Sequence, residues 1–305
     1  MTNSFKLPSF AKINWQLRIL GKRDDGFHEL CTIFQTVSLS DEITFEENDE
    51  FILTCNNASI PTGEKNLINK AAQILRNEFE VKKGAKLHLN KQIPAPGGLG
   101  GGSSNAAVAL LGLATLWDLQ IDFDNLLRIG AKLGSDVPFF FFGGTAFGTG
   151  RGTEIVPMID INERFGMIVT PNAAISTAEA FSRLNAPYLT KETSKSILKI
   201  CQIEVNNFQL RQSKLINDFE KSVFEAEPEI KRVKDKLSEL GATQTSLSGS
   251  GASVFAIFDK EETRQATLKA LEEETNWRKF AVATISRNQF REAFNHCSRL
   301  LPISF

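Results

Sequence analysis

The sequence has few of the features on which secreted, metal-binding and nucleic-acid-binding proteins depend. Its 305 residues include four scattered cysteines, with no C-x-x-C pair and no metal-ligand spacing, which favours free thiols in a reducing compartment over a disulfide framework. The net charge is -1, so nothing indicates a surface for nucleic acid or anionic membranes. The longest apolar run, near Ala106–Trp117, is too short to cross a bilayer, and Met1–Trp15 lacks the apolar core of a signal peptide. We therefore expect a cytoplasmic globular protein of one large or two moderate domains.

The most informative stretch is rich in glycine and lies between a predicted strand and a predicted helix. Ala85–Asn90 alternates apolar and polar residues, as a half-buried strand does. Asn105–Trp117 is almost wholly apolar and predicts a buried helix, with Ser103, Ser104 or Asn105 as its cap. Glycine lets the backbone approach a ligand closely, and a helix N-terminus adds free N–H groups and a positive dipole end. Together they predict an anion site, with nucleotide phosphates as the favoured ligand. Its residues are Pro94, Ala95, Pro96, Gly97, Gly98, Leu99, Gly100, Gly101, Gly102, Ser103 and Ser104.

Neither of the two common nucleotide motifs describes this stretch. No Gly-Lys-Ser/Thr closes it, and Ser103 stands where a dinucleotide fingerprint has its third glycine. The alternative is a flexible glycine linker, but linkers do not usually run straight into a buried helix. Because Pro96 has no N–H, the phosphate donors are expected between Gly97 and Ser104. A second Ser/Gly segment, Ser246–Ala252, is a further candidate anion nest.

Four polar residues elsewhere have both a structural and a functional interpretation. On the predicted strand Ser9–Leu20, Lys12 and Asn14 project from the same face, which is either solvated or part of a site. His28 follows a turn and is either a surface histidine or a ligand contact. Asp136 stands next to a run of four phenylalanines and is either a helix cap or a functional carboxylate. The pattern alone leaves these alternatives open.

The remaining pattern predicts an α+β architecture. The last part of the chain alternates helices and strands, which favours two helices packed on one antiparallel sheet. A change of composition near Pro157–Phe165 marks a candidate boundary between domains of residues 1–158 and 159–305. Further strands are predicted at Cys31–Leu39, Asp41–Phe45, Phe51–Cys55, Ser253–Phe258 and Phe280–Ile285, and helices at Asn66–Glu78, from Asp122 or Asp124 to Gly134, at Glu229–Leu240 and at Lys260–Glu273.

Three motifs, taken in order, resemble those of the GHMP kinases, which are named for galactose, homoserine, mevalonate and phosphomevalonate substrates. They are Ser9–Asn14, Pro94–Ala107 and Leu247–Gly251. Within the family, four further stretches are similar to members that phosphorylate the 2-hydroxyl of cytidine-diphospho-methylerythritol. These are Arg23–Leu30, Leu99–Ala107, Gly134–Phe140 and Asn217–Glu220, so the resemblance runs nearly end to end.

The resemblance implies a two-domain fold, with an N-terminal nucleotide-binding domain, a C-terminal ferredoxin-like domain, and ATP and substrate in the cleft between them. It implies that Asp136 is the catalytic base and that Lys12 is its partner beside the accepting hydroxyl. Pro94–Ser104 would hold the phosphates, with Asn66 near the adenine. Mg²⁺ would bridge phosphate oxygens, with Ser103 or Ser104 as the nearest hydroxyl. The implied substrate-binding residues are Asn14, Phe27, His28 and Phe181, of which His28 would read the cytosine edge and the two phenylalanines would stack.

One residue departs from the family pattern, and two other functions stay open. Phe10 stands where the family usually has proline, which is expected to shift slightly the start of the strand that carries Lys12. The first alternative is another GHMP enzyme, such as a homoserine or mevalonate kinase, although those substrates carry no cytosine for Phe27 and His28. The second is a non-catalytic nucleotide-binding protein, against which the presence of both Lys12 and Asp136 argues. The expected partners are ATP and a small-molecule substrate, with no nucleic acid or membrane, and the chain is expected to be a monomer or weak homodimer.

Overall fold

The computed structural model describes residues 4–173, 175–184, 186 and 191–302, with the backbone alone at residues 191–195 and 197. The strands are β1 (Ser4–Lys22), β2 (His28–Glu46), β3 (Phe51–Cys55), β4 (Ala85–Asn90), β5 (Thr145–Thr149), β6 (Glu154–Pro157), β7 (Gly166–Pro171), β8 (Ile216–Asn217), β9 (Gln244–Leu247), β10 (Val254–Ile257) and β11 (Trp277–Val282). The helices are α1 (Leu67–Glu78), α2 (Gly101–Leu116), α3 (Phe123–Leu133), α4 (Phe139–Phe142), α5 (Thr177–Ser182), α6 (Lys191–Asn206), α7 (Glu220–Ala226), α8 (Pro228–Glu239), α9 (Glu261–Ala270) and α10 (Arg287–Ala293), followed by a 3-10 helix (Asn295–Leu300). None of the described helices is both long enough and apolar enough to cross a membrane.

The first sheet is built around β1 and β2, two antiparallel strands of 19 residues each. Its order is β3-β4-β2-β1-β8, and β5 and β6 extend it beside β2. The two strands predicted over Cys31–Phe45 are one, because the chain stays extended and paired through Ser40. β1 begins earlier than predicted and passes through Phe10 with a register shift between Phe10 and Ala11. Because β1 begins at Ser4, Phe10 lies within the strand and does not mark its start. Its ring packs against Phe290 and Phe294.

The helices of the first half cover this sheet, and α2 lies in the centre of its core. Almost all of α2 is buried, as its apolar sequence predicts. It begins at Gly101, and its N-cap is Gly100 at φ +68°, a left-handed conformation that favours glycine. The predicted caps Ser103, Ser104 and Asn105 are therefore wrong, since all three lie inside the first turns. The predicted cap of α3 is confirmed, because Asp122 accepts a hydrogen bond from the backbone of Asn125.

The second sheet has four antiparallel strands in the order β11-β7-β10-β9. Helix α8 packs on it through Ile230, Val233 and Leu237, and Leu268 of α9 packs against the same cluster, which confirms the prediction of two helices on one antiparallel sheet. The predicted strands Ser253–Phe258 and Phe280–Ile285 correspond to β10 and β11, the second of which begins and ends a few residues earlier.

The contacts between the two halves of the chain include a shared strand pair, a shared apolar cluster and buried side chains from α10 and the 3-10 helix. β8 pairs with β1 in the first sheet. A shared apolar cluster joins the sheets, where Trp15 meets Phe255 edge to face at 5.4 Å. Side chains from α10 and the 3-10 helix, among them Phe290, Phe294 and Cys297, are buried in the core around α2. The domain limit at residue 158 stays a prediction, but residues beyond it complete the first sheet and its core.

Candidate active site

A cavity of about 950 Å³ opens where the glycine-rich stretch, the start of β2 and the loop after β9 meet. It brings together most of the residues singled out in the sequence, including some that lie more than a hundred positions apart. Two of them do not line it: Asn66 and Ser104. The predicted residues that do are Lys12, Asn14, Phe27, His28, Asp136, Phe181 and every residue from Pro94 to Ser103.

The phosphate end of the cavity is formed by residues 94–100 and the first turn of α2. The free N–H groups of this turn and the helix dipole favour an anion, and the turn contains no acidic residue. At Gly102 an added Cβ would have nothing closer than Leu67 at 3.9 Å, so this glycine faces open space. At Gly98 an added Cβ would lie 2.0 Å from the carbonyl oxygen of Ser248. Only glycine there allows the loop after β9 to come so close.

Ser103 and Ser104, adjacent in sequence, have different surroundings. Ser103 lines the cavity. Ser104 is buried, and its hydroxyl accepts a hydrogen bond from the hydroxyl of Ser9 at 2.8 Å. Asn105 donates to Ser9 and to the buried carboxylate of Asp41. Ser104 therefore helps to anchor the first turn of α2, which leaves Ser103 as the hydroxyl of this pair that faces the cavity.

A buried ion pair lies behind the same turn. The ammonium of Lys91 donates to Asp41 Oδ2 at 2.8 Å and to the carbonyl oxygen of Ile93. Asp41 Oδ1 accepts from the backbone N–H groups of Gln92 and Ile93, so its four hydrogen bonds tie β2, the segment after β4 and α2 together. Burial lowers the pKa of Lys91, although the charge of Asp41 opposes this. The sequence analysis missed both residues, because nothing in the local pattern links positions 41 and 91.

Lys12 and Asp136 form an ion pair at the centre of the cavity. Lys12 Nζ lies 3.5 Å from Asp136 Oδ2; the lysine side chain is 4% exposed and the aspartate side chain 33%. The helix that follows Asp136 has Pro138 as its N-cap and no capping side chain, so the cap interpretation of Asp136 is wrong. No side-chain cap is needed, because the N–H groups of Phe140 and Phe141 donate to the backbone carbonyl oxygens of Val137 and Pro138.

Asn14 holds the other side of the Lys12 ammonium. Its Oδ1 accepts from Lys12 Nζ at 2.7 Å, which confirms that the two side chains share a strand face. The same oxygen accepts from the backbone N–H of Gly249 at 3.0 Å. Asn14 therefore connects the middle of β1, where Lys12 lies, to the loop after β9 through one buried amide.

The segment Ser246–Ala252 forms a wall of the cavity. The Ser248 hydroxyl donates to the carbonyl oxygen of Gly98, and the N–H of Gly251 donates to the carbonyl oxygen of Ser248. The N–H of Gly249 donates to Asn14, so the N–H groups of Gly249 and Gly251 are both used within the protein and are not free for an anion. This segment is therefore better described as a partner of the first glycine stretch than as a second anion nest.

Aromatic side chains line the opposite end of the cavity. The ring of His28 stacks on Phe181 at 4.8 Å, and Phe181 meets Phe219 edge to face. Phe27 is half exposed, and the guanidinium of Arg151 lies 4.3 Å from its ring centre. Burial, together with the charge of Lys22, lowers the pKa of His28, so its imidazole is neutral at pH 7.

The structure thus adds detail to the predicted aromatic site. Phe27 and Phe181 both reach the cavity, but each ring already has a partner, Arg151 for the first and His28 for the second. Arg151 was missed by the sequence analysis, and its only signal is its place between two glycines of a turn. Asn66 serves as the N-cap of α1, where its Oδ1 accepts from the backbone of Ile68, and its neighbour Leu67 lines the cavity.

Comparison with known proteins identifies the family. Residues 66–144 match the model of the GHMP kinases N terminal domain, and residues 203–276 match that of the GHMP kinases C terminal domain. A 4-diphosphocytidyl-2-C-methyl-D-erythritol kinase of Solibacter usitatus is 35% identical over 294 residues, which cover 95% of this chain and 92% of the relative. The enzyme of the same name from Thermodesulfovibrio yellowstonii is 39% identical, over 87% of this chain and 93% of its own.

Solved structures agree with the sequence relatives. A crystal structure of 4-(cytidine 5'-diphospho)-2C-methyl-D-erythritol kinase matches with a TM-score of 0.73 and 28% identity, over 92% of this chain and 99% of the other. The mevalonate kinase of Methanococcus jannaschii shares the fold at 15% identity, with a TM-score of 0.67 over 94% and 99% of the two chains. The two family models match separate parts of the chain and the curated relatives match most of it, and the chain belongs to the GHMP kinase family.

Proposed function

We propose that this GHMP kinase transfers the γ-phosphoryl group of ATP to the 2-hydroxyl of 4-diphosphocytidyl-2-C-methyl-D-erythritol, a step in isoprenoid precursor synthesis by the non-mevalonate pathway. One observation carries the proposal: a single cavity holds the Lys12–Asp136 pair between a phosphate-binding helix turn and a neutral histidine among aromatic rings. The relatives named for this activity, at 35 and 39% identity, support it.

The nucleotide phosphates bind at the first turn of α2. Backbone N–H groups take the place of the lysine that ends a common P-loop, and Gly102 leaves room for a phosphate against the backbone. The apolar side chain of Leu67 faces the same space. Asn66 fixes the start of α1 and thereby the position of Leu67, which is how it contributes near the adenine.

Mg²⁺ fits this site as an ion carried mainly by the nucleotide. The described residues contain no group of three or more His, Cys, Asp or Glu side chains that could hold a metal. Magnesium commonly binds through one or two protein oxygens together with phosphates and waters, and the Ser103 hydroxyl and the Asp136 carboxylate both face the cavity. When bound, the ion supplies charge neutralisation on the phosphate oxygens.

Asp136 and Lys12 act on the accepting hydroxyl. Phosphoryl transfer requires mainly positioning and neutralisation of charge. The carboxylate of Asp136 accepts a hydrogen bond from the substrate hydroxyl, orients its oxygen towards the phosphorus and takes its proton as the new bond forms. The ammonium of Lys12 is nearly buried, so its charge is poorly screened where negative charge accumulates.

The aromatic end selects the cytidine group. A neutral imidazole has one donor and one acceptor, which suits the cytosine edge with its amino donor and its ring-nitrogen acceptor. Phe27 and Phe181 offer flat surfaces for stacking, and Arg151 holds the outer face of Phe27. Homoserine and mevalonate have no group that needs these contacts.

The test is ATP turnover, measured as the release of ADP, with each of four alcohols: the cytidine substrate, homoserine, mevalonate and galactose. We expect turnover with the first alone. Turnover with homoserine or mevalonate in its place would assign the chain to another GHMP reaction. ATP binding in calorimetry without turnover of any alcohol would support the non-catalytic alternative. The cytoplasmic location and the monomer or weak homodimer stay predictions.

A further inference from the structure

A buried chain of hydrogen bonds leads from the Lys12 ammonium through Asn14 to Thr32, a residue outside the family motifs. The hydroxyl of Thr32, on β2, donates to the backbone carbonyl oxygen of Gln16 at 2.6 Å. It accepts from Asn14 Nδ2 at 2.7 Å. Thr32 is fully buried, and Asn14 and Gln16 are nearly so.

The donors and acceptors of this chain are all accounted for. A hydroxyl has one proton, and that of Thr32 is used on Gln16, so towards Asn14 it can only accept. The amide of Asn14 therefore presents its NH₂ to Thr32 and its oxygen to the site. That oxygen accepts from Lys12 Nζ and from the N–H of Gly249, which fills its two lone pairs.

The Thr32 hydroxyl bonds to β1 at a point where the pairing of β1 with β2 is irregular. The β1–β2 register shifts between Asn14 and Gln16, so that Asn14 faces Phe34 whereas Gln16 faces Ile33. Such a bulge disrupts the ladder and re-aims side chains, and it is often found beside active sites. The Thr32 hydroxyl satisfies the carbonyl group at this irregularity and at the same time anchors the amide of Asn14.

We propose that Thr32 is a positioning residue, which holds the Asn14 amide so that Lys12 stays aimed at Asp136 and the Gly249 loop stays attached to β1. Thr32 also lines the cavity, but its hydroxyl is used on Gln16 and Asn14, so the proposed role acts through Asn14. Without its acceptor, the buried NH₂ of Asn14 has no partner on β2 and turns towards the cavity, which releases Lys12 and Gly249 together.

The experiment compares Thr32→Val, which keeps the shape and removes the hydroxyl, with Thr32→Ser, which keeps the hydroxyl and removes a methyl group. The kinetic part rests on the proposed function. We expect kcat to fall about 10- to 100-fold in Thr32→Val, as for small misplacements of reacting groups, with KM for ATP changed less than about twofold. Thr32→Ser should keep at least about a third of kcat. If Thr32 only fills space, the order reverses, and the valine variant is the more active and the more heat-stable of the two.

Two further measurements separate this proposal from its alternatives. Because Thr32 acts through Asn14, the double variant Asn14→Ala/Thr32→Val should be no slower than Asn14→Ala alone; a further fall of about tenfold would show an independent role. Amide hydrogen exchange at Gly249 needs no activity, and we expect it to be at least about tenfold faster in Thr32→Val than in the wild type or Thr32→Ser.

The exchange measurement also separates the two proposals. A wild-type protein without kinase activity but with the expected exchange pattern would overturn the proposed function and leave the role of Thr32 supported. Unchanged exchange at Gly249 in Thr32→Val would overturn the role of Thr32, whatever the kinetics show. If the valine variant does not fold, Thr32→Ala replaces it, since alanine and serine both lack the methyl group and only alanine lacks the hydroxyl.

Discussion

The sharpest prediction concerns Asp136→Asn, which keeps the size of the side chain and removes its ability to take a proton. The side chain caps no helix in the described chain, and its ion-pair partner there is Lys12 at 3.5 Å. Lys12 keeps its shorter hydrogen bond to Asn14 when the carboxylate is lost. The substitution therefore removes a chemical group from the cavity and leaves the surrounding structure almost intact.

The structure sets different magnitudes for rate and stability. Lys12 is nearly buried, but its partner is a third exposed and the amide of an asparagine can still accept from the ammonium, so Tm should fall by no more than about 4 °C. A positioned general base contributes about 10²- to 10⁴-fold, which is about 2.7–5.5 kcal/mol of transition-state stabilisation in kcat. If the transition state is loose and Asp136 mainly orients the hydroxyl, the loss lies at the lower end and depends weakly on pH.

Asp160→Asn is the matched control. Asp160 lies outside the cavity lining, and its two carboxylate oxygens accept from the backbone N–H groups of Thr145 and Arg287, both at 2.8 Å. An asparagine there must turn an NH₂ group towards one of these donors, at a cost of about 1–3 kcal/mol. We expect Asp160→Asn to lower Tm and leave kcat unchanged. We expect Asp136→Asn to lower kcat and leave Tm almost unchanged. Calorimetry measures Tm, and initial rates at saturating substrates measure kcat. A destabilised Asp136→Asn protein with a nearly normal kcat would refute the catalytic role.

Four further predictions concern the same cavity. In Gly102→Val the new side chain enters open space, so calorimetry should show ATP binding weakened by at least about tenfold and Tm unchanged. Gly101→Val should also lower Tm, because its Cβ would lie 3.0 Å from the buried side chain of Ile93. Phe27→Ala and His28→Ala should each raise KM for the cytidine substrate by about 5- to 100-fold, with KM for ATP nearly unchanged, through lost stacking and an unpaired cytosine edge. Because the pKa of His28 is lowered, the neutral ring persists at pH 7, and KM for the cytidine substrate should rise only at a pH below the ordinary titration range of histidine, which a pH profile of KM will show. Lys12→Met should lower kcat as Asp136→Asn does, and the double variant should lose less than the product of the two losses in initial-rate assays.

Specific results would contradict each of these predictions. Unchanged nucleotide affinity in Gly102→Val would remove the first turn of α2 from the phosphate site. Impaired ATP binding alone in Phe27→Ala or His28→Ala would mean that the cytidine group lies elsewhere. A KM that rises in acid just as strongly in His28→Ala would assign the titration to another group. Strict multiplication of the Lys12 and Asp136 losses would show that the two side chains act independently.

Sequence patterns were sufficient where a local rule decides the structure. The two-residue period of a strand places Lys12 and Asn14 on one face, and their 2.7 Å hydrogen bond follows from it. The apolar run after the glycine-rich stretch predicts a buried helix, and α2 is one. The exact start of that helix was missed. The sequence pattern favours a polar capping side chain, whereas the N-cap is Gly100 in a left-handed conformation with no side chain.

Patterns failed where partners are distant in sequence. Asp136 reaches Lys12 only because β1, the first turn of α2 and the segment before α4 border the same cavity, and its cap-like setting before Pro138 was equally consistent with another role. Asp41 and Lys91 show no local signal, since each is one charged residue at the end of an alternating segment. Thr32 looks like an ordinary strand residue until the register shift in β1 is known.

The burial of α10 and the 3-10 helix in the first core has a consequence for how the protein can be made. Translation delivers the core around α2 before Phe290, Phe294 and Cys297, so its apolar surface stays open to water until these residues emerge from the ribosome. The cavity has the same dependence, since Gly249 contributes to its wall. A separately expressed fragment of residues 4–158 should therefore bind hydrophobic dyes and aggregate, and co-expression with residues 159–302 should rescue it. The site is therefore complete only after Gly249 and the residues of α10 and the 3-10 helix have been synthesised.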